Sequence, residues 1–279
     1  MQMNSRKTYP FFVLMAVIVF VTSILMSCGS KTASADAKGA NEVDTLARHT
    51  LQGVWLNDDV GSIVFEIVGD SIFYNDSICA PAEFFVRNDT LHVKGHPSVS
   101  YAIKELSSTR FVFVNAGGEE VSLSKAEEID DLAFGEYKGA VNINQGKKIK
   151  RDSVMHYDNK RYHAYSQVNP TTYKVYKQSV NSDGLSVETV YYDNIVHICV
   201  YNERGKLFGR DMKKKDFAGV VPQNYLQQAV LSEILIDGIS AEGVRFVAVL
   251  AIPDSNTNFR VNILVTPEGE MTIKNNDKV

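Results

Sequence analysis

Ser62-Ile63-Val64-Phe65-Glu66-Ile67-Val68-Gly69-Asp70-Ser71-Ile72-Phe73-Tyr74-Asn75-Asp76 reads as two short strands, each closed by a reversal. β-branched and aromatic residues fill Ser62–Val68 and Ser71–Tyr74, the composition that suits a half-buried pleated surface. Gly69-Asp70 and Asn75-Asp76 supply left-handed or side-chain-bonded backbone for tight turns. The same grammar continues outward. Gly53–Leu56, Ala82–Val86, Thr90–Val93, Val99–Glu105, Arg110–Val114 and Glu120–Ser124 are further candidates, cut apart by Asn57-Asp58-Asp59, Asn88-Asp89, Ser107-Ser108 and Gly117-Gly118. Eight short strands in sequence order over residues 46–126 predict an antiparallel meander closing into a barrel, which removes exposed edges. At ~3.3 Å per residue, tilted strands of this length give a barrel only ~15 Å tall, with room for side chains or one small ligand. Phe65, Ile67, Phe73, Phe85, Val93, Ile103 and Phe113 are expected to fill it.

The pattern changes after the acidic run Glu127-Glu128-Ile129-Asp130-Asp131, read as a linker over 127–133. Tyr162–Gln167, Thr172–Val180, Val187–Tyr192, Ile195–Tyr201 and Lys206–Met212 read as strands, with Asn202-Glu203-Arg204-Gly205 as a hairpin turn. One helix is expected over Tyr225–Asp237. Asn224 stands in the cap position with Gln227 three residues on, Pro222 precedes it, Gly238 stops it, and Leu226, Val230 and Ile234 stack on one row. Val244–Ile252, Asn258–Val265 and Glu270–Ile273 follow as strands. Strands, helix, strands with hairpin connections predict an α+β domain over 134–279, one helix packed on an antiparallel sheet. The whole chain is thus expected to be mainly β.

The first 28 residues carry a different message. Arg6 and Lys7 precede an uncharged, mostly apolar run from Tyr9 to Met26, the layout of a secretory signal segment over 1–27. Leu25-Met26-Ser27-Cys28 resembles the lipobox of bacterial lipoproteins. That resemblance implies a diacylglyceryl thioether on Cys28, cleavage after Ser27 and a membrane-anchored body outside the cytoplasm; an uncleaved anchor is the competing reading. Residues 28–45, rich in Gly, Ser, Ala and Lys, read as a flexible tether. Leu51-Gln52-Gly53-Val54-Trp55 is similar to the opening of small lipocalin-like domains, in which the Trp plugs one barrel end. The lipidated Cys, small lipocalin-like domain and C-terminal domain together resemble uncharacterised envelope lipoproteins of Bacteroides-type bacteria. This implies an outer-membrane anchor, on the periplasmic face or the surface.

Residues 1–27 contain no acidic residue, so removing them with Arg6 and Lys7 leaves 27 basic against 33 acidic residues, a formal charge of −6. Nucleic-acid binding wants the opposite balance. Cys79 and Cys199 either pair across the two halves in an oxidising envelope or sit apart as buried thiols. The six histidines show no helical zinc spacing, and Asp254–Asn258 starts like a calcium loop but has Phe259 where the Gly belongs. No catalytic set, metal site or cofactor is expected. His197 and Cys199, two apart on one strand, lack the separate elements that a nucleophile–base pair normally uses. Ten of the thirteen tyrosines fall between Tyr137 and Tyr225. Tyr162, Tyr165, Tyr173, Tyr176, Tyr191 and Tyr192 are the candidate binding surface, since tyrosine on a sheet offers rigid area with a polar tip; strand preference alone also explains them. The expected function is a lipid-anchored, non-catalytic envelope binding or accessory protein docking a protein or glycan. The alternatives are a small-ligand carrier using the barrel, and an envelope hydrolase.

Overall fold

A one-turn helix, α1 (Thr45–Thr50), leads into the barrel; the Asp44 carboxylate accepts hydrogen bonds from the Leu46 and Ala47 amides, 3.0 Å each, and caps it. The computed structural model describes residues 43–127 and 136–275. The expected signal segment 1–27, the expected lipidation residue Cys28, most of the expected tether 28–45 and all but the first residue of the expected linker 127–133 lie outside them. The barrel strands are β1 (Gly53–Asn57), β2 (Ile63–Val68), β3 (Ser71–Tyr74), β4 (Ala82–Arg87), β5 (Thr90–Val93), β6 (Val99–Leu106), β7 (Arg110–Val114) and β8 (Glu120–Lys125). Each pairs antiparallel with its sequence neighbour, and β1 with β8 closes the ring. Asn88 and Asp89 both hold positive φ (49° and 50°), the mirror-image turn whose twist suits a two-residue hairpin between β4 and β5.

The interior is filled by large rings. Trp55, Phe65, Tyr101, Phe111 and Phe113 are fully buried, with Trp55 edge-on to Phe111 at 5.7 Å and Tyr101 edge-on to Phe113 at 5.5 Å. The Trp55 indole N–H donates to the Leu51 carbonyl at 2.8 Å, tying α1 to the first strand. Two expected core residues face the other way. Ile72 and Tyr74, and Phe84 and Val86, are the buried members of their strands, leaving Phe73 and Phe85 on the outside. Both runs are apolar at both parities, so alternation could not choose the face. Phe85 is covered instead by the His92 ring stacked at 4.7 Å and by the Arg87 guanidinium 5.2 Å from its centroid.

The remaining strands form two stacked sheets. β9 (Val141–Asn142), β10 (Ile149–Tyr157), β11 (Lys160–Val180), β12 (Ser186–Asn202) and β13 (Gly205–Met212) make the first, in order β10-β11-β12-β13, with β9 parallel to β12 at Tyr191–Tyr192. β14 (Val230–Ser240), β15 (Gly243–Ala251), β16 (Asn258–Val265) and β17 (Met271–Asn275) form the second as a meander. Ala164, Val196, Ile198 and Val200 of one sheet share a buried core with Ile234, Phe246, Ala248 and Ile263 of the other. The two strand pairs expected at 162–180 and 187–201 are each one long strand. β11 absorbs Pro170 in a bulge between Pro170 and Lys174.

The expected helix Tyr225–Asp237 is a correction. The helix present, α2 (Gln223–Gln228), has one short span after Pro222, and β14 begins two residues later. Bulges between Leu231 and Glu233 and between Ile236 and Gly238 explain the misreading. Each inserts a residue, so the inward positions run Leu231, Ile234, Ile236, Ile239. Steps of three and two mimic a helical stripe. The strand is then fixed from outside: the Asp193 carboxylate accepts from the Leu231 amide at 2.8 Å, and the Asn194 side-chain amide donates to the Leu231 carbonyl at 3.0 Å. That tertiary clamp overrides local propensity.

The β11–β12 hairpin reaches the barrel. Leu185 and Val187 are buried among the barrel's core residues. The Ser186 amide donates to the Tyr101 hydroxyl at 2.8 Å, and the Asn57 side chain donates to the Asp183 carboxylate at 2.8 Å. Gly184 turns the tip at φ +74°, and a Cβ there would lie 2.2 Å from Asn115 Nδ2. All of this belongs to one compact unit, Val43–Val279.

Candidate functional site

Alternation places Ala164, Ser166 and Val168 of β11 and Val196, Ile198 and Val200 of β12 toward the shared core. Their neighbours therefore form the opposite, open face of the first sheet. Three cross-strand rows lie on it. Asp152 faces Tyr165, which faces Cys199 and then Gly209; Val154 faces His163 and then Tyr201; Lys150 faces Gln167, then His197 and Asp211. The His163 and Tyr201 rings stack with centroids 6.2 Å apart, and Tyr165 leans on His197 at 5.7 Å. Carboxylates flank both pairs: His197 Nδ1 is 2.6 Å from Asp211, and His163 Nε2 is 3.6 Å from Asp152. Both carboxylates are largely exposed. The face thus offers two ring pairs with an anionic acceptor at each end.

Cys199 sits under the middle row. It is buried, and its thiol donates to the Phe208 carbonyl at 3.0 Å. A Cβ at Gly209 would meet the Lys206 side chain at 2.4 Å and the Cys199 sulfur at 3.3 Å, so the missing side chain lets Lys206 fold over the thiol. Its hydrogen bond to Cys199, then the charge of that residue, hold the exposed Tyr201 hydroxyl above the ordinary tyrosine range. His197 is turned to Asp211 while the Cys199 thiol is committed to a backbone carbonyl. The arrangement suits ring stacking and hydrogen bonding rather than thiolate attack.

The six tyrosines expected to form one surface do not share one. Tyr165 alone belongs to this face. Tyr162 points into the core between the sheets. Tyr191 is buried against Val175 and Val230; its hydroxyl donates to the Asp254 carboxylate, and burial with that bond drives its pKa strongly up. Tyr176 stacks on the His96 ring of the β5–β6 loop at 3.8 Å, beside a shallow groove of about 510 Å³ that also reaches Gln227. Tyr173 is exposed with the Lys213 ammonium 6.0 Å from its ring, and Tyr192 is half-buried. The cause is the bulge in β11 and the depth of the arm, which divide these residues among core, seam and solvent.

Cys79 and Cys199 are free, buried thiols. Cys79 bridges to Thr189, ten residues along β12 from Cys199, roughly 33 Å of extended strand against the ~7 Å limit for a disulfide. Burial, then the neighbouring Asp76 carboxylate, push the Cys79 thiol up to about 11. Among the described residues no group of three or more His, Cys, Asp or Glu is placed to hold a metal ion, and no helix is long and apolar enough to cross a membrane.

His163, Tyr165, His197, Tyr201, Asp152 and Asp211 carry the site, and of these the sequence points only to Tyr165, as a candidate surface residue, and to His197 through its spacing from Cys199. The usable signal was the pair of alternations His163-x-Tyr165-x-Gln167 and His197-x-Cys199-x-Tyr201, each interleaved with small or apolar residues. A family model described as "Domain of unknown function (DUF4738)" matches residues 128–273, the stretch that holds both stacked sheets and this face. No curated protein matches the chain.

Proposed function

The chain belongs to the DUF4738 family, and we propose that it is a lipid-anchored, non-catalytic binding protein of the cell envelope. It docks a protein or glycan on the open face of its first sheet. The observation that carries the reading is the juxtaposition of two partly exposed ring pairs, His163 with Tyr201 and Tyr165 with His197, between the Asp152 and Asp211 carboxylates. Rings supply rigid contact area at small entropic cost, and flanking acceptors fix orientation. The Leu25–Cys28 pattern supports the anchor, and attachment to the outer membrane, with the body outside the cytoplasm, is part of the proposal. The barrel interior, filled by Trp55, Phe65, Phe111 and Phe113, argues against a carrier that uses that interior.

Two measurements test the two halves of the proposal. Metabolic labelling with a fatty acid should mark the wild-type chain and leave Cys28→Ala unlabelled; equal labelling of both removes the anchor. Glycan-array binding and in-cell cross-linking to envelope proteins should both be compared for wild type and Tyr165→Ala/Tyr201→Ala. A bound glycan or cross-linked protein lost in the double variant supports the face. Retention of every contact by the variant, or none in the wild type, refutes it.

A further inference from the structure

β10 is a nine-residue strand with β11 on one side and, among the described residues, no strand on the other. Such a row of open N–H and C=O groups is a template for another strand. Edges are commonly blunted by shortness, proline, a bulge or charge. β10 has no proline or bulge, and its register with β11 runs unbroken from Ile149 opposite Val168 to Tyr157 opposite Lys160. Of its charges, Arg151 is paired to Glu233, while Lys150 and Asp152 are of opposite sign. It also exposes apolar area, Val154 at 46 % and Tyr157 at 41 %. We infer that this edge pairs antiparallel with β10 of a second copy, about a twofold axis at Val154.

The sequence of the strand selects both the occupant and the register. An antiparallel pair related by a twofold axis normal to the sheet sets outer-face residues opposite outer-face residues, so the axis must pass through a residue position. With Val154 on the axis, Val154 faces Val154, Asp152 faces His156 twice, and Lys150 faces Asp158 at the turn. On the inner face Arg151 faces the Tyr157 ring. Other centres oppose like groups. An axis at Asp152 sets Asp152 against itself; one at Ser153 sets Lys150 against His156; one at Met155 sets Asp152 against Asp158; one at Arg151 sets Arg151 against itself. Like charges directly opposite destabilise a pair and opposite charges support it. Val154 is the centre among these five that sets apolar against apolar on the axis and, on the outer face, Asp152 against His156 and Lys150 against Asp158. The pairing is independent of what the open face binds, though it would lay two such faces side by side.

Cysteine cross-linking of the full chain, in cells and in detergent, tests the register. Directly opposite residues have Cα atoms ~4.5–5.5 Å apart, inside the disulfide range. Two copies of residue 150, by contrast, would be roughly 26 Å apart. Under mild oxidation Val154→Cys should give a covalent dimer, while Lys150→Cys and the wild type, with its own cysteines, should not. Adding Asp152→Lys to Val154→Cys should cut the dimer about tenfold, since two favourable pairs become repulsive. Adding His156→Glu to that variant should restore it. A monomeric Val154→Cys, equal cross-linking of Lys150→Cys, or indifference to Asp152→Lys would overturn the proposal.

Discussion

The barrel and, apart from the short parallel β9, the stacked sheets are both antiparallel, yet they are held in opposite ways. In the barrel every pairing but the closing one joins sequence neighbours, and the core is enclosed by strands of four to eight residues. In the stack neither sheet has a core of its own: Val196 and Ile198 are buried only because Phe246 and Ile263 lie across from them. Short strands with explicit turns specify themselves locally. Long strands acquire bulges, and their identity is settled by what they pack against. The hairpin tip is where the two regimes meet, since Leu185 and Val187 complete the barrel's core from a strand of the stack.

The largest expected effect tests how self-contained the barrel is. Trp55→Ala removes the largest fully buried side chain and should cost about 3–5 kcal/mol. Hydrogen exchange followed by mass spectrometry should show lost protection in β1–β8, with β15 and β16 unchanged. Phe246→Ala should cost a similar amount, about 3–5 kcal/mol, and deprotect both sheets of the stack together. If Trp55→Ala deprotected β15 and β16 equally, the contrast between the two regions would fail.

Leu185→Ala comes next, at about 2–4 kcal/mol, because it hollows the barrel's end from the arm side. Gly184→Ala should act at the same place through backbone rather than volume, since φ +74° and the 2.2 Å approach to Asn115 leave no room for a methyl. Both variants should make the hairpin tip the first site of limited proteolysis. A tip that stayed resistant would mean that the barrel does not depend on the arm for closure.

The eight barrel strands could be read from the sequence because Asn88-Asp89, Gly69-Asp70 and Gly117-Gly118 state their turns in residues that only turns favour. What was not legible has physical causes. Phe84-Phe85 is apolar on both parities, so its inward member depended on register. β14 imitates a helix because two bulges convert a period of two into steps of three. The tyrosines looked like one surface because the sequence counts residues but not which side of a bulge each one falls. The open face itself was half visible, as polar rings alternating with small apolar residues, and needed the register of β11 on β12 to bring His163 to Tyr201.

A third prediction concerns the clamp that makes β14 a strand. Asp193 is buried, and desolvation raises its pKa despite the Leu231 amide, Lys214 and the Asn194 amide, which pull it down. A carboxyl with a raised native pKa contributes stability that is full below its unfolded value, near ~3.9, and lost as pH rises through the native value. Lys214, half-buried and donating to the Ala229 carbonyl at 2.8 Å, has its pKa lowered by desolvation. Its contribution is present above the unfolded lysine value and lost as pH falls through the native one. At neutral pH both charges are therefore costly, and their attraction offsets part of the cost. Asp193→Ala should lose about 1–3 kcal/mol, because the Leu231 amide is left without its acceptor. Asp193→Asn keeps an acceptor and cannot titrate. Its stability relative to wild type, from denaturant titrations, should improve as pH climbs from about 4 to 7. A difference constant across that range would mean that the clamp works through its hydrogen bonds alone.

The smallest expected effect probes the seam on the far side of the hairpin, where the barrel touches the arm without sharing core. His96 stacks on Tyr176, its backbone amide donates to the Glu188 carboxylate, its ring nitrogen lies 3.4 Å from that carboxylate, and Gln178 donates to the Pro97 carbonyl at 3.2 Å. These contacts are partly wet, so Tyr176→Ala should cost only about 0.5–1.5 kcal/mol, the worth of one ring pair. The same change made with Leu185→Ala distinguishes a seam from a continuous core. If the two contacts hold the arm independently, the double variant's cost equals the sum within ~0.5 kcal/mol. A larger coupling would mean that the hairpin tip and the His96 loop act as one joint, and that the barrel is a lobe of the stack rather than a body beside it.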